Sequence, residues 1–213
     1  MRGKGVLTFV VVATLAVAAV AQEGRSSIAL QGTGLFTSKS SGTDPFGSGV
    51  TRQADNTGGF LISYRYRLWS WLSAEGDYGL ARDPMQFSTS TGIFNGDAWM
   101  HQATAAFIVK LPSSARFRLS PYLLAGGGAV IFDPTSSGFR TAGGFATNPA
   151  ATNETKAAFI YGGGADFPIA KRWSLRGEYR GLVYHAPNFG VSTLSTGTVI
   201  HTAQPSLGIV YRF

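Results

Sequence analysis

From Ser26 onward the chain is a succession of runs in which apolar residues alternate with polar or small ones, and no stretch keeps a 3.6-residue apolar period. The clearest run is Gly58 to Leu68, where Phe60, Ile62, Tyr64, Tyr66 and Leu68 alternate with Gly59, Leu61, Ser63, Arg65 and Arg67. In the next, Leu72, Ala74, Gly76, Tyr78 and Leu80 oppose Ser73, Glu75, Asp77 and Gly79. Similar runs occupy 98–111, 156–167, 173–183 and 200–213. Successive side chains of a strand face opposite ways, so each run predicts a strand with one apolar face and one polar or small face. Two further runs do not orient themselves. Ser26 to Phe36 is broken by Gly32 and Gly34, and Arg118 to Phe132 contains Pro121-Tyr122-Leu123-Leu124-Ala125-Gly126-Gly127-Gly128, apolar on both faces.

The connections alternate in length. Long Ser-, Gly- and Thr-rich stretches at 37–55, 82–95, 133–155 and 185–198 separate short turns at 68–71, 112–115 and 168–172. A bilayer core leaves no backbone group free to stay unpaired, and a closed sheet has no edge. Eight such strands with this alternation of loop lengths therefore predict an all-β fold, an eight-stranded antiparallel up-and-down transmembrane β-barrel. A soluble secreted β-sandwich is the rival reading, but it has no reason to keep the alternation.

The first residues read differently. Arg2 and Lys4 form a basic start, Val6 to Val20 is nearly all apolar, and Ala19-Val20-Ala21 is a small-x-small site before Gln22. The run is shorter than the roughly 20 residues of a spanning helix and ends at Gln22, Glu23 and Arg25. The expectation is a signal peptide over 1–21 and one barrel domain over 22–213. With Arg2 and Lys4 removed, 16 basic residues face 11 acidic ones, a mature net charge of +5. That balance suits anionic lipid or lipopolysaccharide; it would suit nucleic acid too, but secretion argues against it. There is no cysteine, hence neither a disulfide framework nor a site for lipoprotein acylation. No second long apolar run is present, which excludes a helical membrane protein.

Several stretches also carry a resemblance: Pro121-Tyr122 followed by Gly126 to Gly128, Gly162 to Asp166, Trp173-Ser174-Leu175-Arg176-Gly177-Glu178-Tyr179-Arg180, and Tyr211-Arg212-Phe213. In their order and spacing they resemble the small bacterial outer-membrane β-barrels of the outer-membrane protein A and opacity type. The resemblance covers essentially all of Gln22 to Phe213. It implies a bacterial outer-membrane location, contact with outer-membrane lipids and lipopolysaccharide, and Tyr211 and Phe213 as a signal read by the barrel assembly machinery. The pattern ends at Phe213 without the peptidoglycan-binding domain of some members, so wall anchoring is not implied. Neither a ligand nor an oligomeric state follows from it.

Antiparallel pairing of the second and third runs would bring Arg65 and Arg67 against Glu75 and Asp77. Asp166, Arg176, Glu178 and Arg180 fall on the same, lumen-facing parity. An eight-stranded lumen is only wide enough for its own side chains, and buried charges are costly unless paired. The expectation is a polar network that closes the lumen, in a protein with a structural or surface-presenting role. A narrow ion path is the sharper alternative, if the glycine clusters leave room for water.

Catalysis finds little support. His101, His185 and His201 all lie near predicted long loops, but no Ser/His motif accompanies them, so a lipid-modifying enzyme is a minor alternative. The Gly126 to Gly128 run lacks the GK[ST] ending of a phosphate loop, and Asn153-Glu154-Thr155 matches a glycosylation sequon to which no role is assigned. No cofactor or metal is expected.

Tyr64, Tyr66, Trp69, Trp71, Tyr122, Tyr161, Trp173, Tyr179, Tyr211 and Phe213 are expected to form interfacial girdles. Lys110, Arg116, Arg118, Lys171 and Arg172 cluster at the short turns, a periplasmic basic rim suited to anionic lipid phosphates. Phe46, Phe87, Phe94, Phe139, Phe145 and Phe189 in the long loops would give a surface adhesin its apolar contacts, or would pack against the barrel mouth.

Overall fold

The computed structural model describes residues 24–90, 92–112, 119–135, 140–141 and 151–213. The expected signal segment, Arg116, Arg118, Phe139 and Phe145 lie outside the described residues. Eleven strands form among the described residues: β1 (Ser26–Thr37), β2 (Ser40–Thr43), β3 (Gly49–Ala54), β4 (Thr57–Arg67), β5 (Leu72–Thr89), β6 (Gly92–Lys110), β7 (Ser120–Pro134), β8 (Arg140–Thr141), β9 (Glu154–Pro168), β10 (Trp173–His185) and β11 (Val199–Arg212). Eight of them, β1, β4, β5, β6, β7, β9, β10 and β11, pair antiparallel in that order. The final pairing of β11 with β1, through Ala29 opposite Val210 and Gln31 opposite Gly208, closes the barrel. No strand of the ring is left with a free edge, which is what a bilayer demands.

The register resolves the two runs that the sequence leaves unoriented. In β1, Ala29, Gln31 and Leu35 are buried in the lumen, while Ile28, Leu30 and Phe36 face outward. In β7, Lys110 of β6 stands opposite Tyr122, so Tyr122, Leu124, Val130 and Phe132 point inward and Leu123 outward. Tyr122 is thus no part of an outer girdle. Alternation could not reveal this because both of its neighbouring rows are apolar.

Two expected long loops contain strand. Within 82–95, β5 runs on to Thr89 and β6 begins at Gly92, the two paired up to Thr89 opposite Gly92, and 37–55 holds the β2–β3 hairpin, with β3 paired to β5. The reason lies in the inward row, which continues through Asp83, Met85 and Phe87, all buried, while the outward row turns polar at Arg82. The Arg82 guanidinium lies 5.2 Å from the Trp99 ring and marks where the lipid-compatible band stops. The wall therefore continues beyond that band at the long-loop end.

Outside, the band exposes large apolar side chains such as Leu207 (70%) and Phe107 (60%), a surface that suits hydrocarbon. The glycine clusters serve close approach. A Cβ on Gly126 would fall 2.0 Å from the Ala105 carbonyl oxygen, and one on Gly162 would fall 2.0 Å from that of Tyr179. Inside, the lumen has two levels. The long-loop half is mainly apolar, built by Phe87, Val130, Phe132, Ile160, Leu182 and Ile200, with one ion pair, Arg52 and Asp83, at its end. The other half is polar.

Candidate functional site

Among the described residues, the polar half of the lumen gathers seven buried charged side chains, and they come from four strands. β4 contributes Arg65, β5 Glu75 and Asp77, β9 Asp166, and β10 Arg176, Glu178 and Arg180, all on inward parity. The register sets Arg65 directly opposite Glu75 and Arg176 opposite Asp166. Glu75 is the hub. It accepts from Arg65 Nε at 2.7 Å, from Arg176 Nη1 at 3.1 Å and from Arg180 Nη2 at 2.8 Å. Arg176 also holds Asp166 through Nε and Nη2, at 2.8 and 3.2 Å, the two-pronged grip that a planar guanidinium makes on a carboxylate. Arg180 donates to Glu178 at 2.6 Å and to Asp77 at 3.0 Å.

Three buried guanidinium groups thus meet four carboxylates, and Arg212 at the rim approaches Asp166 at 3.5 Å. Ions removed from water are tolerated only when opposite charges and hydrogen bonds replace the lost solvation. Arg65, Arg176, Arg180, Glu75, Asp77, Asp166 and Glu178 are all buried and paired in this way. Arg67 is not among them. It shares the inward parity but stands opposite Ser73 at the short-turn rim, exposed, and donates to the Gly24 carbonyl at 2.8 Å. Asp77 stands opposite Ser63, so the pairing expected for Arg67 is one step off.

Alternation alone misses several members of the lumen. Tyr122 donates to Glu178 Oε2 at 2.5 Å, and its ring lies 4.3 Å from the Arg65 guanidinium. Above the ions, Gln204 donates to Gln102 at 3.2 Å, and Thr104 to Asp77 at 3.3 Å. Gln31, Gln102 and Gln204 each stand on the small or polar parity of their strands, a signal that could have marked them. A second buried ion pair, Arg52 to Asp83 at 2.7 Å, ties β3 to β5 at the long-loop end. Nothing local in the sequence announces it, because Arg52 sits in an expected loop.

At the long-loop mouth, residues of the 186–198 loop form a stopper in the lumen. Phe189, Val191 and Leu194 are buried against Phe132 and Tyr184. Phe189 has a left-handed φ of 56°, and Glu154 holds it there by accepting the N–H groups of Asn188 and Phe189, both at 2.7 Å. Glu154 also pairs with Lys156 at 2.6 Å. Phe87 and Phe94 likewise pack on this core, whereas Phe46 is exposed.

The histidines lie elsewhere. His101 Nδ1 meets the Tyr78 hydroxyl at 2.7 Å and His201 Nε2 meets the Tyr161 hydroxyl at 2.9 Å, both on the outer face of the wall. Among the described residues neither imidazole touches a serine hydroxyl or a carboxylate. Among the described residues no group of three or more His, Cys, Asp or Glu could hold a metal ion. At the short-turn end Trp69 stacks on Trp71 at 6.3 Å, Trp173 meets Tyr211 at 4.9 Å, and Phe213 meets Tyr211 at 6.1 Å. Lys171 and Arg172 lie in the turn beneath them, and Lys110 lines the lumen mouth.

Comparison with known proteins agrees with this geometry. No curated protein sequence matches the chain. Among solved structures, OprG of Pseudomonas aeruginosa superposes with a TM-score of 0.56 at 12% identity, covering 90% of this chain and 97% of that one. Neisserial surface protein A gives 0.55 at 14%, covering 88% and 97%. Ail, the attachment invasion locus protein of Yersinia pestis, solved with the heparin analogue sucrose octasulfate, gives 0.50 at 20%, covering 90% and 100%. At these identities the likeness is one of fold. The model of the outer membrane protein beta-barrel domain matches residues 7–213, so the chain belongs to that family and is a protein of the bacterial outer membrane.

Proposed function

We propose that this barrel is a closed integral outer-membrane protein whose role is structural and surface-presenting: it carries the β5–β6 wall and the loops beside it outside the cell. The observation that carries this reading is the filled lumen, where an ion-paired half is capped by an apolar half and by the Phe189 loop. The side chains that fill the lumen support a presenting role over a conducting one. Assembly signalling through Tyr211 and Phe213, and contact with lipopolysaccharide, belong to the same proposal.

One observation favours binding by the presented wall. A cavity of about 650 Å³ opens there, lined by Gln53, Asp55, Gln86, Asn95, Asp97 and Arg140 among others. A polar recess of that size on a rigid wall suits recognition of a partner, as in an adhesin. The test of presentation is a short epitope inserted at the Thr89–Gly92 tip of the hairpin. Antibody should label intact cells; labelling only after the outer membrane is permeabilised would overturn the reading.

A further inference from the structure

The short-turn mouth of the lumen carries charge that the buried network does not use. A cavity of about 140 Å³ opens there, lined by Arg25, Arg67, Lys110 and Arg212 beside Arg65 of the buried network, and among the described residues Asp166 is the only acidic one in its wall. Asp166 is already gripped by Arg176. Among the described residues no carboxylate pairs with Arg25, Arg67 or Lys110. Two buried polar atoms in its wall are not hydrogen-bonded within the protein. Ser73 Oγ, in a residue 1% exposed, has no hydrogen-bond partner, and Arg65 Nη2 has only a 3.7 Å ion contact with Glu178. Unpaired buried donors are costly, so a mouth that keeps them is suited to a ligand that brings oxygen acceptors and negative charge.

A second cavity, of about 320 Å³, is lined by Arg25, Arg67, Leu68, Trp69 and Ser70. It shares Arg25 and Arg67 with the first. The two therefore adjoin at these side chains, and the second reaches Leu68 and Trp69, which is 60% exposed beside the band that faces hydrocarbon. A free phosphate would need only the first cavity. A phosphate attached to acyl chains uses both, with its headgroup among the guanidinium groups and its tail along the tryptophan.

We propose that these adjoining recesses bind an anionic glycerophospholipid of the facing, periplasmic leaflet, its phosphate seated between Arg25, Arg67, Lys110 and Arg212. Basic residues at a membrane surface attract anionic lipid, and here four converge on a recess that also offers hydroxyl donors.

The test is native mass spectrometry of the folded full chain released from vesicles holding equal amounts of phosphatidylglycerol and phosphatidylcholine with the same acyl chains. Wild-type protein should retain phosphatidylglycerol preferentially. The R25Q/K110Q variant should lose that preference roughly thirtyfold, about fivefold for each cation. K39Q, which removes an exposed charge from the opposite end of the barrel, should keep it. Equal retention of the two lipids by wild type would overturn the proposal, as would an unchanged preference in R25Q/K110Q or an equal loss in K39Q. If excess inorganic phosphate strips the lipid from wild type, the mouth is a site for the free anion and the lipid assignment fails. Should the double variant not fold, the wild-type comparison and the phosphate competition still decide.

Discussion

The Tyr122 hydroxyl reaches from β7 across β9 to Glu178 of β10, donating at 2.5 Å directly above Gly164. A Cβ on Gly164 would come within 2.7 Å of that hydroxyl, so the glycine is what lets the ring lie flat inside the wall. Replacing Tyr122 by Phe keeps the ring beside Arg65 and removes only the donor. The expected loss is about 1–3 kcal/mol of unfolding free energy, the cost of an unpaired buried acceptor. Urea titration of the barrel refolded into vesicles would measure it, and a loss near zero would mean that Arg180 satisfies Glu178 unaided.

Arg180 holds three carboxylates at once: Glu75, Asp77 and Glu178. Arg180→Met keeps much of the side-chain volume but leaves buried negative charge uncompensated, for an expected cost of about 3–5 kcal/mol. The triple variant Arg180→Met, Asp77→Asn, Glu178→Gln should recover much of that loss, because it removes charge from both sides. The same titration compares the two, and no recovery would count against charge compensation as the cause.

Glycines in this wall are not equivalent. Gly162 faces inward with the Tyr179 carbonyl 2.0 Å from an ideal Cβ, whereas a Cβ on Gly177 of the adjacent β10 would meet nothing within 4 Å. Gly162→Ala should destabilise by about 1–3 kcal/mol through overpacking. Gly177→Ala should be neutral or slightly stabilising, since alanine has less chain entropy to lose. Thermal shifts of unboiled gel migration would rank them, and the reverse order would contradict the stated geometry.

The Phe189 stopper depends on Glu154, which accepts two backbone N–H groups. Glu154→Ala should release the 186–198 loop while leaving the barrel folded. Hydrogen exchange is the direct reading: faster exchange at Asn188 and Phe189, with β10 and β11 unchanged, is the expected outcome. Unchanged protection at both amides would mean the loop is held by Phe189, Val191 and Leu194 packing alone.

Much of this architecture is legible along the chain because lipid reverses the usual rule and puts the apolar row outside. Phe60, Ile62 and Tyr64 against Leu61, Ser63 and Arg65 already separate the two faces of β4. The seven ions of the polar half follow from parity, since charge on a membrane strand has only the lumen to occupy. Arg67 departs because parity carries no depth: it lies on the inward row but past the end of the barrel. Tyr122 and the apolar half of the lumen were hidden for a different reason. Where the interior is filled by Val130 and Phe132 and the exterior by Ala129 and Ile131, both rows are apolar, and only the register with β6 decides. The extension of β5 and β6 was masked by polar residues at 82–95, which read as loop although their inward row stays buried.

On the proposed reading the lumen is shut, by ion pairs around Glu75 at one level and by side chains around Phe132 and Phe189 at another. Single-channel recording of the purified barrel in a planar bilayer tests it most directly. Insertion verified by heat-modifiable gel migration, with no steps of current at either polarity, is the expected result. Reproducible, uniform conductance steps from the wild-type chain would contradict the account.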